Sequence, residues 1–194
     1  MLLAIDTSAG TSAAVFDGDA ELSFELFQDP FGHAENIGLA IQNALAKAGI
    51  ASSDITAIAV GRGPAPYTGL RVGIAAATAL ASALGINPIG VITLDAVGLD
   101  HSEGRVLVVA DAKRKEFFAA GFDDGQQILA PSVLSADQLA ELSDYTQAPG
   151  ACDARHIGRY ALHAIRNQIP LEELSALYLR SPDVTPSPGK KVSG

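Results

Sequence analysis

Basic side chains are scarce in this chain: 13 lysines and arginines stand against 22 acidic residues, for a formal net charge of −9. A protein that grips a phosphate backbone unaided shows a basic face, because its affinity comes from displacing counterions. Here the basic residues gather only at Arg105, at Lys113-Arg114-Lys115 and at Lys190-Lys191, so direct binding of nucleic acid is not expected. Cysteine occurs once, at Cys152, which excludes an intramolecular disulfide framework and leaves a structural thiol as the expected role. The histidines are His33, His101, His156 and His163, and no two lie four apart. The helical two-histidine metal motif is therefore absent, and no metal site is expected. Uncharged apolar runs fall short of the roughly 18 residues of a membrane span. Asp6 interrupts the N-terminal apolar run too early for a signal peptide, and no basic start precedes it. These absences together lead us to expect a soluble, cytoplasmic protein without membrane contact.

What is present is ample apolar side chain, 48% of the residues against 18% charged, enough to build a proper core. Short apolar runs at 2–5, 13–16 and 22–27 predict three strands, with Asp17-Gly18-Asp19 as a hairpin turn. Ile37, Ala40, Ile41, Ala44, Leu45 and Ala48 recur at helical spacing and predict a helix over 33–48, ended by Gly49. Ile55 to Val60 reads as a buried strand, and 70–84 as a second helix stopped by Gly85. That second helix is apolar and mostly alanine around most of its circumference, with Arg71, Thr78 and Ser82 on one stripe. Its own domain wrapping it and a partner helix packing on its outer face both account for this. Strands are expected at 105–110 and 116–122 around a hairpin. Ser135 is placed to cap a helix over 136–143, and a third long helix is expected over 155–168. We expect a first lobe over 1–103, a smaller second lobe over 104–180, and a flexible tail from Ser181 on.

The stretch LLAIDTSAGTSAAVFDG (2–18) parallels VLVVADAKRKEFFAAGFDDG (106–125). Each is a buried strand ending on an aspartate (Asp6, Asp111), a short polar connection, a second strand with adjacent alanines, and a turn. Chance similarity between hairpins and an internal duplication both account for the match. Duplication implies a two-lobed α/β fold that resembles the actin/hexokinase/Hsp70-like (ASKHA) superfamily, with mixed-sheet lobes and a reduced second lobe. In that superfamily two such hairpins grip nucleotide phosphates through backbone N–H groups, and an aspartate holds the metal. The resemblance makes Asp6, Thr7, Ser8 and Gly10 candidates for a vestigial nucleotide site. The second hairpin carries Lys113, Arg114 and Lys115 where small residues are needed, and their side chains are expected to fill the phosphate space. The chain also has no Gly-Gly pair for an adenosine-binding turn.

The most specific stretch is GRGPAPYTGLRVG, residues 61–73. It reads as a strand-to-helix connection, with Thr68 placed to cap the helix and Arg71 in its first turn, a setting that suits an anion or, more plainly, a tight loop with a locally paired arginine. The string is similar to the GRGPGSFTGxRxGI signature of the TsaB/TsaD glycoprotease-like proteins, on Gly61, Arg62, Gly63, Pro64, Thr68, Gly69 and Arg71. LAIDTS, PIGVITLDA (88–96), VADAKRKEFFAAGFD (109–123) and LYLRSPDV (177–184) resemble TsaB (YeaZ) blocks in the same order. Departures are Ala65-Pro66-Tyr67 for Gly-Ser-Phe, and Lys113 for a commoner arginine.

The resemblance implies a non-catalytic scaffold. Such a subunit binds a TsaD-type catalytic subunit through N-terminal helices, works with a TsaE-type ATPase, and serves threonylcarbamoyl transfer to the tRNA adenosine next to the anticodon. It meets tRNA only through the complex and forms a homodimer when alone. No cofactor is required by the subunit itself, although ATP or ADP belongs to the complex. The partner interface is expected at Leu39, Asn43, Gly73, Ala76, Ala77 and Leu80, and no catalytic residue is assigned. The alternative is a small ATP-binding kinase or ATPase acting alone, with Asp6 holding the metal and Asp111 as base. A protease reading on Ser8, Ser12 and His33 has no recognisable nucleophile pattern behind it.

Overall fold

The computed structural model describes residues 1–29, 31–171 and 174–180; the tail expected from Ser181 on lies outside the described residues. The chain runs β1 (Leu2–Asp6), β2 (Thr11–Asp17), β3 (Ala20–Phe27), α1 (His33–Ala48), β4 (Ala57–Gly61), α2 (Tyr67–Leu84), β5 (Pro88–Val91) and α3 (Thr93–Gly98). It continues through β6 (Arg105–Asp111), β7 (Glu116–Asp123), β8 (Gln126–Ser135), α4 (Ala136–Glu141), β9 (Thr146–Pro149) and α5 (Ala154–Arg166).

Two mixed sheets result. The first has the order β3-β2-β1-β4-β5 and the second β8-β7-β6-β9. In each, an antiparallel three-stranded meander is followed by a helix and a strand that pairs parallel to the first strand, β4 on β1 and β9 on β6. The duplicated, two-lobed α/β architecture with a smaller second lobe is therefore observed. The matching strand order extends the repeat beyond the hairpins to whole lobes.

Strand β1 shows why a continuous apolar run makes a central strand. Leu3 and Ile5 point into a core beneath α1 and α2, whereas Leu2 and Ala4 point into a second core on the other face. Side chains alternate across a strand, so a strand covered on both faces must be apolar at every position. The second core is shared: Phe16 and Ala59 from the first sheet, Val108, Phe118 and Phe122 from the second, and α3 and α5 between them. Close approach there rests on missing side chains. A Cβ on Gly158 of α5 would sit 2.1 Å from the Phe16 ring, and one on Gly98 of α3 would sit 2.2 Å from the Phe122 ring.

Several expectations need correction. Helix α5 was assigned to the smaller lobe, but it packs across β1, β2 and β4 of the first sheet. The chain returns there because Ala154, Ile157, Ala161 and Ala164 form a fully buried stripe that fits the alanine-rich face of that sheet. Ile165, next to Ala164 in sequence, falls off that stripe and is 51% exposed. Helix α2 begins at Tyr67, and its N-cap position is Pro66 at φ −57°, without a side-chain capping bond. Thr68 thus lies inside the first turn rather than at the N-cap position. Strands β5, β8 and β9 and helix α3 were not anticipated. Ser135 does cap α4: its hydroxyl accepts from Gln138 N at 3.2 Å, and the Gln138 side chain accepts from Ser135 N at 2.9 Å.

Candidate functional site

The loop from β4 to α2 is shaped by what it lies against. A Cβ on Gly61 would fall 2.1 Å from Asp6 Oδ2, one on Gly69 would fall 2.4 Å from the Thr7 carbonyl, and one on Gly73 would fall 2.4 Å from Thr7 Oγ1. The glycines of the motif therefore let α2 and its lead-in loop press onto the turn after β1. Thr7 Oγ1 completes the contact by donating to the Gly69 carbonyl at 2.8 Å. Gly63 adopts φ +98° and precedes a cis bond to Pro64. The two arginines of the motif reach elsewhere: buried Arg62 donates from Nη1 to the Ser175 carbonyl at 2.9 Å, and Arg71 Nε donates to Tyr178 Oη at 3.1 Å.

Between the two lobes a cleft of about 570 Å³ opens, bounded by Thr7–Ala9, by Pro64–Pro66, by Val109–Asp111 with Lys113, by Pro149–Ala151, and by Phe31 and His33. It lies where the two repeated hairpins face each other. Its polar groups are largely engaged. Ser8 donates from Oγ (2.6 Å) and from its backbone N (2.9 Å) to Asp6 Oδ1. His33 Nδ1 lies 2.9 Å from Thr11 Oγ1. Lys113 meets Asp111 twice, from the backbone at 2.7 Å and from Nζ at 3.0 Å, and these bonds hold the Asp111 carboxyl below the usual carboxylate range.

Of the four candidate nucleotide residues, only Thr7 and Ser8 line the cleft. Gly10 faces the other way, where a Cβ would lie 2.9 Å from the Phe27 carbonyl. Asp6 is 1% exposed behind the wall, with Oδ2 lacking a hydrogen bond. Burial pushes its carboxyl up to about 7 despite the opposing bonds from Ser8, which disfavours the charged form that holding a metal would need. The second hairpin also differs from expectation. Its three basic side chains do not fill the cleft: only Lys113 borders it, and that side chain is 72% exposed and lies on Asp111. Instead the backbone is left-handed at three consecutive residues, Lys113, Arg114 and Lys115. Among the described residues no cluster of three or more His, Cys, Asp or Glu side chains could hold a metal ion.

On the far side of the first sheet α1 and α2 pack side by side and present one outer surface. Leu39 of α1 is 49% exposed, and Ala75, Thr78, Ala79, Ser82 and Ala83 of α2 are exposed with it. Asn43, Ala76 and Leu80 are half-buried at its edge. Gly73 and Ala77, expected at the interface, are buried and face inward: Gly73 meets Thr7, and Ala77 belongs to the core under the sheet. The signal that was missed lies in the polar stripe itself. Arg71, Thr78 and Ser82 mark the solvent side, and Ala75, Ala79 and Ala83 share that side at helical spacing.

A family described as TsaD: tRNA N6-adenosine threonylcarbamoyltransferase matches residues 31–172. The Escherichia coli tRNA threonylcarbamoyladenosine biosynthesis protein TsaB is 39% identical over 158 residues, covering 73% of this chain and 67% of that protein. The chain belongs to the TsaB (YeaZ) family. A Mycobacterium leprae protein is 35% identical over 96% of this chain, which spans 56% of that relative's length. YeaZ from Pseudomonas aeruginosa superposes with a TM-score of 0.71 at 24% identity, over 92% of this chain and 99% of its own, a likeness of fold.

Within the TsaB pattern, the departures at 65–67 fall where the loop borders the cleft. Ala65 and Pro66 add apolar surface to its wall. No helix among the described residues is long and apolar enough to cross a membrane.

Proposed function

We propose that this chain acts in the cytoplasm in forming threonylcarbamoyladenosine on tRNA, as a non-catalytic subunit that docks a TsaD-type catalytic partner on the outer surface of α1 and α2. The observation that carries this reading is that surface. A side-by-side helix pair, continuous with the core, exposes a leucine and a row of alanines, small residues that permit close approach of further helices. The names of the TsaB relatives support the pathway. Two features support the absence of catalysis: the cleft's polar groups are engaged with one another, and the sequence lacks paired helical histidines. A TsaE-type ATPase and tRNA are met only in the assembled complex, no nucleotide is required by this subunit, and the same surface pairs two copies when the partner is absent. An isologous contact of that kind needs no second site, because one patch meets itself across a two-fold axis.

The test is co-purification of the full chain with a TsaD-type protein from the same source, together with sedimentation of each alone. Leu39→Arg and Ala79→Arg place charges on the outer surface without entering the core. Both are expected to keep the circular dichroism and melting of the parent while cutting recovery of the complex at least tenfold. Recovery at the parental level from both folded variants refutes the assigned surface.

A further inference from the structure

Residues 174–180 have no regular secondary structure, yet they cross the molecule through a series of anchors. Leu174 packs against the core under α1 and α2. The Ser175 carbonyl accepts from buried Arg62, and Leu177 N donates to the Arg62 carbonyl at 2.7 Å. Tyr178 Oη accepts from Arg71 at the start of α2. Leu179 then enters the core shared by the two sheets. Arg180 ends the run on the second lobe, donating from Nη1 to the Ala112 carbonyl at 2.6 Å and pairing through Nη2 with Glu116 at 2.9 Å. Six of these seven residues are anchored, first to residues 61–71 of one lobe and then to the hairpin 112–116 of the other.

We infer that residues 174–180 are a strap that fixes the separation of the two lobes, holding the cleft between them at one width whether or not a ligand occupies it. Two-lobed folds work on bound ligands by hinge closure, which requires that few contacts cross the hinge and that those be able to break. Here the strap ties residues next to the cleft walls, Arg62 beside Pro64–Pro66 in one lobe and Ala112 beside Lys113 in the other. It also gives both arginines of the 61–73 motif an acceptor, the Ser175 carbonyl for Arg62 and Tyr178 Oη for Arg71. Arg62 is 5% exposed and needs acceptors inside the protein, and the strap supplies one. A short irregular segment held this way loses its conformational freedom on folding, and that loss is offset only if the strap stays docked.

The experiment measures the lobe separation in the full chain by pulsed electron spin resonance. Spin labels go on Ser53→Cys in the first lobe and Gln126→Cys in the second, both exposed, while the native Cys152 is buried and does not take label. With the strap intact, one narrow distance distribution is expected, unchanged by addition of magnesium and ATP. Arg180→Gln combined with Tyr178→Phe removes the two outer ties without touching a core. This variant should at least double the width of the distribution and speed amide exchange in 112–116 at least tenfold. Leu177→Pro, which removes the donor to Arg62, should do the same in the 61–71 loop. A distribution that stays narrow in both variants, or one that shifts with nucleotide in the parent chain, overturns the inference. Neither outcome depends on which partner occupies α1 and α2.

Discussion

Replacing Asp6 with asparagine removes a buried carboxyl whose ionisation the fold opposes. Asp6 is 1% exposed, its Oδ1 accepts both bonds from Ser8, and its Oδ2 has no hydrogen bond. Burial is the dominant influence and raises its pKa from 3.8 to about 7. Below pH 3.8 the group is protonated in the folded and unfolded chains alike, and its contribution is fully present. Between about 4 and 7 the unfolded chain has released the proton and the folded chain keeps it, so stability falls as pH rises. Between 3.8 and about 7, at about 1.36 kcal/mol for each tenfold change in proton concentration, the loss amounts to about 4 kcal/mol by pH 8. The asparagine side chain can still accept from Ser8 and carries no charge to bury. Urea unfolding followed by far-ultraviolet circular dichroism at several pH values measures the effect. The quantity to compare is the stability of Asp6→Asn minus that of the parent. Other carboxyls shape the raw profile too: burial raises Asp95 to about 6 and moves it the same way, whereas burial would raise Asp153 but its bonds from His156 and Arg155 hold it well below the usual range and move the profile the opposite way. The difference should grow in favour of asparagine from pH 4.5 to pH 8. A difference that stays constant across that range refutes the reasoning.

Gly158→Ala sets a methyl against the Phe16 ring and should cost about 1–3 kcal/mol, read as a lowered melting temperature, because neither α5 nor the β2 backbone can retreat without opening the shared core. Gly73→Ala presses on Thr7 Oγ1 in the same way and should also destabilise; combined with Thr7→Ala, which removes that oxygen, it should cost less than the sum of the two single variants, and strict additivity would show that the contact is not the cause. Burial pushes the Cys152 thiol well above its usual pKa, so a thiol reagent at pH 8 should label it only after urea is added. Purified alone, the chain should show no ATP hydrolysis above a magnesium–ATP blank, measured by phosphate release.

The elements legible in the sequence were those whose cause is local. LLAID had to be a central strand because five consecutive residues without a solvated face can be buried only from both sides. Helices α1 and α2 end at Gly49 and Gly85, each at φ +69°, where a side chain would be strained. Ser135 starts a helix because its cap partner lies three residues on. The repeated strand-aspartate-hairpin units foretold the two lobes, since a duplicated pattern buries itself in the same way twice. Position in space was decided by contacts that no local rule reaches. Alanine reads alike on either side of a helix, so only the docked α2 separates Ala77, under the sheet, from Ala79, in solvent. Helix α5 returned to the first sheet because the complementary small-residue surface lies more than a hundred residues upstream. Arg71 looked suited to an anion or a local carboxylate at a helix start, yet it donates to Tyr178, 107 residues on in the strap, as Arg62 donates to Ser175, 113 residues on. Asp6 stood in a nucleotide-binding string, but packing of the glycine loop sealed it from the cleft, and burial rather than sequence set its charge.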